Sequence, residues 1–501
     1  MSKRPNIIFL MTDQQRFDAI GVRNSLVKTP AIDSLINDGV LFEEAICPCP
    51  MCVPSRNSMM FGLYASQTGV RTNSGCLMDE ERLPGVPLPQ LLADAGYFTA
   101  GFGKTHWNHT LKGKPGARRG FHIRAEGQPR MSVLLEEGAV MMDDEDPEGL
   151  KAYFEETVPF GSGEENALGY IGMTSRLEEE HHRDGFIAKK CLEFIHQYEP
   201  DGRPLFLYLS MIKPHAGFNI PKRFEDLYSI DDIPDLQSPP WENEGDTHIR
   251  AAMDVCESLK TRHEKLKDVW KALSPLQRRM TTLRYWANCS FMDWLIGQNL
   301  EAMRKKGILD NALIVFVSDH GEMLGERDYR FSKYCLYDSS VRVPIVLSGS
   351  RLPENLRGTR DSRPASLIDI LPTLRNVAGL GVDPKLPGLD LLSGRVRRGA
   401  FSEFHGGGAD KHQPAPAWMW RTKEYKLILF RTGPVYGESE IRGELYDLKN
   451  DPNEWVNLFD DERYIKTRLA LTEQLLSHMA SAFAKAPAFG DYQGLAPIMP
   501  E

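Results

Sequence analysis

The sequence predicts an α/β protein built on a sheet that is buried on both faces, and three observations carry that reading. Short, strongly apolar runs recur at Asn6–Met11, Val40–Ile46, Tyr97–Phe102, Pro204–Ser210, Ala312–Ser318 and Val343–Ser348. Amphipathic, helix-like stretches separate them, among them Leu88–Ala95, Arg183–Tyr198, Phe291–Lys306 and Ser366–Ala378. Strands that are apolar at nearly every position belong to sheets covered by helices on either side. The rhythm then changes at about residue 397. Tyr425–Phe430 and Glu444–Asp447 read as strands of a small antiparallel sheet, followed by a helix over Asp461–Ala484. The expected organisation is a large unit over 1–396 and a small α+β unit over 397–501.

Two stretches interrupt the large unit. One, about 124–180, is rich in glycine and acid around Asp143-Asp144-Glu145-Asp146; the other, about 230–276, is polar and contains Pro239-Pro240-Trp241. The acidic tetrad reads as a solvated loop. Insertions of this length commonly form lids or oligomer contacts, so these two are the expected source of selectivity.

Composition narrows the class. Apolar and charged fractions of 41% and 26% over 501 residues are those of an ordinary soluble globular protein. A net charge of −9 argues against a general nucleic-acid or anionic-membrane surface, so an anionic ligand needs a locally basic pocket. The apolar run Ile7–Met11 behind the basic start stops at Thr12-Asp13, too short for a signal segment or a membrane span. The chain therefore reads as cytoplasmic and bacterial. Cys47, Cys49, Cys52 and Cys76 lie close together, but Cys-x-Cys-x2-Cys lacks the paired knuckles of structural zinc sites. The remaining cysteines read as small buried hydrophobes.

The chemistry gathers where the apolar runs end. In open α/β sheets, ligands bind beyond the carboxyl ends of the strands. The first run leads into Asp13-Gln14, the third into Lys104-Thr105-His106, the fourth into Lys213-Pro214-His215 and the fifth into Asp319-His320. Val343–Ser348 ends blandly in Gly349. Asp13, Asp319, the Gln14 amide oxygen and a His320 ring nitrogen form a mostly hard donor set, suited to Ca²⁺, Mg²⁺ or Mn²⁺. Lys104, Lys333 and Arg56 can neutralise a sulfate or phosphate, and His106 and His215 can move protons. The second run leads toward Cys52-Val53-Pro54-Ser55-Arg56. A thiol at a proline-opened helix start sits where free N–H groups and the helix dipole favour an anion.

In order along the chain, Pro5-Asn6-Ile7-Ile8 with Thr12-Asp13-Gln14, Cys52–Arg56, Gly101–His106, Pro214-His215, Ser318–Glu322, Arg342-Val343-Pro344 and Leu445–Leu448 with Asp451-Pro452 and Glu454 resemble the type I sulfatases. That group, within the alkaline-phosphatase-like superfamily, includes bacterial arylsulfatases, choline sulfatases and phosphonate monoester hydrolases. The resemblance implies a large mixed sheet sandwiched by helices, with a smaller C-terminal antiparallel sheet plus helix. It implies hydrolysis of small-molecule sulfate esters, with Cys52 oxidised to formylglycine by a maturation enzyme. One divalent metal, Ca²⁺ first and Mn²⁺ or Mg²⁺ as alternatives, is implied on Asp13, Gln14, Asp319, His320 and residue 52. By the same resemblance Lys104 and Lys333 bind the non-bridging oxygens, Arg56 fixes the nucleophile, and His215 or Lys333 protonates the departing alcohol. His106 deprotonates the second hydroxyl of the hydrated aldehyde, and Asn73 lines the pocket. No nucleic-acid or membrane partner is implied; a homo-oligomer is left open.

Four positions depart from the pattern. Gln14 stands where many members carry Asp, and His320 where they carry Asn, a pairing reminiscent of the phosphonate hydrolases that admits Mn²⁺. Against that branch, Lys104 and His106 are retained as in sulfatases. Phe61 and Leu63 replace the Thr and Arg usual in Thr-Gly-Arg. Two alternatives follow: a phosphonate monoester or phosphodiester hydrolase with the same nucleophile, and a metal-bound anion-binding protein whose Cys52 stays a thiol. His181, His182 and His196 read as surface or core residues, and His109 and His122 as neighbours of the Lys104 loop. Trp418-Met419-Trp420 reads as packing.

Overall fold

The computed structural model describes residues 4–73, 83–106, 119–125, 171–175, 177–237, 239–241, 244–406, 416–432 and 440–484. The apolar runs become strands β1 (Asn6–Thr12), β2 (Val40–Ile46), β3 (Phe98–Gly103), β6 (Leu205–Ser210), β8 (Ala312–Ser318) and β9 (Ile345–Ser348). Between and after them lie β4 (Ile123–Ala125), β5 (Thr174–Ser175), β7 (Ile220–Pro221) and β10 (Thr359–Ser366). β5 and β7 pair with each other; the other strands form one eight-stranded sheet in the order β10-β2-β9-β8-β1-β6-β3-β4. Neighbours are parallel throughout except at β9, which is antiparallel to both β2 and β8.

The pleat explains why these runs show no polar alternation. Ile7, Phe9 and Met11 of β1 join Phe206, Tyr208, Val315 and Val317 in one apolar layer. Ile8 and Leu10 join Leu205, Leu207, Ile314 and Phe316 in the other. Helices Cys52–Phe61, Leu88–Asp94 and Ile370–Val377 cover the first layer through Met59, Met60, Leu92, Leu371 and Leu374. Helices Pro30–Asn37, Arg183–Gln197 and Pro275–Lys305 cover the second through Ile32, Ile36, Ile187, Ile195, Phe291 and Leu295. In the interior strands β1, β6 and β8 neither face is left to water.

Some elements differ from the sequence reading, each for a physical reason. The helix expected over Phe291–Lys306 begins at Pro275. Its first turn is exposed, and Leu283, Tyr285, Trp286 and Cys289 are buried in a cluster separate from the sheet layer that Phe291 joins; the start signal is local. Ser274 and Gln277 form a capping box around a Pro in the first turn. β10 was not anticipated because it is polar, contains Pro364 and lies on the sheet edge, where an unpaired N–H is tolerated. The polar 230–276 stretch contains helices His248–Val255 and Glu257–Ala272, anchored by Ile249, Leu259, Leu266 and Trp270. Most of 124–180, including the acidic tetrad, lies outside the described residues.

A second sheet follows in the order β11 (Ala400–Phe404), β12 (Ala417–Arg421), β13 (Tyr425–Arg431) and β14 (Ile441–Asp447), antiparallel throughout. Met419, Ile428, Phe430 and Tyr446 on one face join the first apolar layer of the large sheet. Phe401, Trp420, Leu427 and Leu445 on the other pack against Leu471 and Leu475 of helix Ile465–Ala484. Met419 and Trp420 are buried in these layers. No helix among the described residues is long and apolar enough to cross a membrane.

Candidate active site

Because β1, β2, β3, β6 and β8 run in one direction, their carboxyl ends share one edge of the sheet. β9 runs the other way, so its bland end at Gly349 belongs to the opposite edge. At the shared edge Gly103 has φ +89, and a Cβ there would collide with the Ser210 carbonyl oxygen. Only glycine lets β3 turn toward Lys104 so close to β6.

Cys52 is the first residue of helix Cys52–Phe61, and every residue of that helix is buried. Met51 caps it without a side-chain bond; instead the Val53 N–H donates to Asn73 Oδ1 at 3.1 Å. Asn73, expected in the pocket wall, thus satisfies an orphan donor at the helix start. Ser55 Oγ donates to the Asp319 carbonyl oxygen at 2.6 Å. The fully buried Arg56 bridges both carboxylates, with Nε 2.6 Å from Asp319 Oδ2 and Nη2 3.0 Å from Asp13 Oδ2. Its Nη1 donates to the Lys104 carbonyl oxygen and to Ser210 Oγ. Arg56 therefore holds the Asp13 and Asp319 carboxylates rather than the Cys52 sulfur.

One oxygen of each carboxylate is occupied by Arg56, which leaves the other facing inward. Asp319 Oδ1 accepts from the Gln14 and His320 N–H groups at 3.0 Å each. His320 Nδ1 lies 2.9 Å from the Gly321 carbonyl oxygen, an acceptor only, so Nδ1 carries the proton and Nε2 the lone pair. That Nε2 is 3.2 Å from Cys52 Sγ, 3.7 Å from Asp319 Oδ1 and 4.0 Å from Asp13 Oδ1. Ligand atoms of Asp13, Cys52, Asp319 and His320 all lie within 4.8 Å of one another. Gln14, in a left-handed turn at φ +67, donates its amide N–H to Glu322 and accepts from Lys333 Nζ at 3.0 Å. Lys333 Nζ also reaches Cys52 Sγ at 2.7 Å, and Lys104 Nζ pairs with Asp13 Oδ2.

The electrostatics follow from burial working against these partners. Burial pushes the Asp13 carboxyl up, but Lys104 and Arg56 hold it well below the usual range. Burial and Asp13 raise the Cys52 thiol, and Lys104 and Lys333 bring it below its ordinary value. Burial opposes the Lys333 ammonium, yet Cys52 and Asp13 keep its pKa raised. His320 falls to about 4, chiefly by burial. His215 is lowered by burial and by Lys333, against a smaller raising influence of Cys52. Its Nδ1 faces the Ala216 carbonyl oxygen at 2.9 Å. His106 follows Lys104 by two residues, half-buried at φ +60.

Sequence reasoning gave no role to three residues that hold this cluster. Glu322 is fully buried and accepts from Gln14 Nε2, the Leu324 N–H and the Ser332 N–H. It lay inside a quoted motif, so a signal existed. Tyr285, mid-helix, donates to the Gln14 carbonyl oxygen at 2.7 Å. Asp184 accepts from the Ile212 and Lys213 N–H groups just ahead of His215. Nothing in the sequence marked either. Of the discounted residues, His182 is buried against Phe291, His122 hydrogen-bonds Thr99, and His109 and Cys76 lie outside the described residues.

Buried lysine, arginine, carboxylate and imidazole groups at the carboxyl edge of a mostly parallel sheet, inside an acidic body, make this an α/β protein with a site suited to an oxyanion. Comparison with known proteins gives its family. The sulfatase family matches residues 5–380, and the chain belongs to it; it is a sulfuric ester hydrolase. The C-terminal region of N-sulphoglucosamine sulphohydrolase matches residues 325–481. An arylsulfatase of Clostridium perfringens is 28% identical over 490 residues, covering 94% of each chain. A choline-sulfatase of Rhizobium meliloti is 26% identical, covering 92% of this chain and 83% of its own. The solved phosphonate monoester hydrolase of Agrobacterium radiobacter shares the fold with a TM-score of 0.73, 23% identity and 96% coverage of both chains.

Proposed function

We propose that this enzyme cleaves sulfate esters to an alcohol and inorganic sulfate, using residue 52 as formylglycine and one divalent cation, Ca²⁺ first and Mn²⁺ or Mg²⁺ as alternatives. The observation that carries this reading is the gathering of Asp13, Asp319, His320 Nε2 and residue 52 within 4.8 Å of one another, with the Gln14 amide oxygen on the same Lys333 ammonium that reaches residue 52. Two carboxylates, an amide oxygen and one imidazole fit a hard cation. The Cys52 sulfur occupies the place of an oxygen of the hydrated aldehyde, made by a formylglycine-generating or equivalent maturation enzyme. Together the ion and the hydrated aldehyde supply Lewis acidity and a nucleophilic oxygen.

The remaining work belongs to the chain's own side chains. Lys104 and Lys333 neutralise the sulfate oxygens in a site that excludes water. Arg56 orients Asp13 and Asp319 so that their second oxygens face inward. Lys333, kept cationic, holds a proton for the departing alcohol, while His215 is kept mainly neutral and presents Nε2. His106 is assigned to take the proton from the second oxygen of residue 52. Gln14 and His320 favour a second reading, phosphonate monoester or phosphodiester hydrolysis, because the pairing removes one negative charge from the candidate metal site and adds a nitrogen donor.

Parallel turnover of nitrophenyl sulfate and nitrophenyl phosphonate esters separates the two, with faster sulfate turnover expected. Phosphonate turnover that dominates by orders of magnitude sinks the first reading. Peptide mass spectrometry should show residue 52 without its sulfur. An unmodified Cys52 in protein from a maturation-competent host, with no turnover of either ester, leaves only an anion-binding protein.

A further inference from the structure

Lys333 lies on a loop with left-handed backbone on both sides of it: φ is +68 at Ser332 and +77 at Tyr334. Such geometry in non-glycine residues persists only where the surroundings over-determine it. Here the loop is gripped at several peptide groups. The Ser332 N–H donates to Glu322, and the Ser332 carbonyl accepts from the Met323 N–H at 2.8 Å. The Tyr334 N–H donates to the Pro50 carbonyl oxygen at 3.2 Å. Leu336 is held on both sides: its N–H donates to His248 Nε2 at 2.9 Å, and its carbonyl accepts from Lys426 Nζ at 3.0 Å.

These two grips come from remote parts of the chain. His248 opens helix His248–Val255, and Lys426 belongs to β13 of the small sheet. His248 is 1% exposed and both its ring nitrogens are engaged. A backbone N–H can only donate, so Nε2 carries the lone pair and the ring proton sits on Nδ1, aimed at Glu444 Oε1 2.6 Å away. Glu444 also accepts the His248 N–H at 2.8 Å, and its second oxygen accepts from Tyr337 and Tyr446. Burying an imidazole and a carboxylate costs desolvation that an apolar pair of the same size avoids. What the polar pair supplies is an acceptor fixed at one loop amide, three residues from Lys333.

We propose that His248, oriented by Glu444 of the small sheet, is a positioning residue that holds the strained loop so that Lys333 meets the sulfate group. This rests on the role given to Lys333 above. It assigns the small sheet a part in catalysis, exerted through the Leu336 amide.

A double-mutant cycle tests it. Lys333→Ala should lower kcat for nitrophenyl sulfate by about 10²–10³-fold, as loss of an oxyanion donor does. His248→Asn keeps a nitrogen near Nδ1 but cannot reach Leu336, and should cost about 10-fold or more through misplacement. His248→Gln sets an amide oxygen near the place of Nε2 and should recover most of that loss. Combined with Lys333→Ala, His248→Asn should add almost nothing, because residues acting through one contact are non-additive. Inhibition by inorganic sulfate should weaken in the same pattern. Single effects that multiply in the double variant overturn the proposal, as does His248→Gln being as slow as His248→Asn. If His248→Asn does not fold, Glu444→Gln takes its place in the cycle. A wild-type protein that turns over no sulfate ester removes the role of Lys333 itself, and is recognised before any variant is made.

Discussion

Two clusters of buried charge meet at the loop that carries Lys333, and they are satisfied in opposite ways. In the cluster between the two sheets, each carboxylate faces cations. Asp338 accepts from Arg421 Nε and Nη2 at 2.8 and 2.7 Å and pairs with Lys426 at 2.6 Å. Glu44 pairs with Arg342 and Arg421, and Glu244 with Arg327 and Arg330. At the sheet edge, Arg56 and Lys104 take only one oxygen of Asp13 and Arg56 one of Asp319, and Asp13 Oδ1, Asp319 Oδ1, His320 Nε2 and Cys52 Sγ are left gathered together. Electron-rich atoms gathered in a buried place oppose folding unless something positive joins them. The first arrangement is what stability selects, and the second is what chemistry requires.

The largest expected effect tests that difference directly. Asp13→Asn should abolish turnover of nitrophenyl sulfate and remove bound divalent metal, read by elemental analysis of the purified protein. Chelation of the wild type should do the same reversibly. Arg421→Met should act the other way round. It strips Asp338 of its bidentate partner and should cost about 3–5 kcal/mol in denaturant unfolding, the usual range for a broken buried pair. Turnover per folded molecule should fall far less than in Asp13→Asn. If Asp13→Asn melts lower than Arg421→Met while keeping its metal, the distinction between the clusters fails.

A smaller effect is expected from pH. Burial pushes Glu244 up, but Arg330 and Arg327 bring it down to about 2 from its ordinary 4.5. A depressed carboxylate contributes stability that is complete above its unfolded pKa and lost as pH falls through the folded one. The window is therefore pH 4.5 down to 2, and the contribution at neutral pH is about 3 kcal/mol. Glu244→Gln should lower neutral stability by about that much and flatten the acid limb across the same window. An unchanged acid limb in thermal melts refutes the pairing.

The two clusters were unequally legible in the sequence. Asp13, Lys104, His215 and Asp319 could be read because each closes or follows an apolar strand, and parallel strands bring their ends together. Cys52 and Arg56 could be read because they share one helix start. The structural cluster could not. Asp338 lies 83 residues from Arg421 and farther still from Lys426 and Glu454, and a buried ion pair looks like any surface charge until the fold buries it. The direction of β9 was hidden for the same reason, since an apolar run fixes burial but not strand polarity. His248 sits in a stretch read as a polar insertion, and its contacts belong to a strand nearly two hundred residues away.

Glu322 lies at the boundary between the two kinds of cluster, and Glu322→Gln gives the smallest effect with the sharpest geometry. Oε1 of Glu322 accepts two backbone N–H groups, from Leu324 and Ser332, while Oε2 accepts only from the Gln14 side chain. A glutamine has one acceptor oxygen, and two loop amides should claim it. Its NH₂ then faces Gln14, whose amide must flip to present oxygen. That flip turns the Gln14 nitrogen toward Lys333 and takes away the oxygen offered to a cation. Divalent-metal affinity, measured by calorimetric titration, should weaken by about 10–100-fold, the usual size for a lost ligand-orienting contact. Gln14→Glu in the Glu322→Gln background should restore it, because a carboxylate offers an oxygen to both sides. Affinity that stays weak in the double variant would mean that Glu322 acts through the Ser332 amide and the Lys333 loop, and not through the ligand it touches.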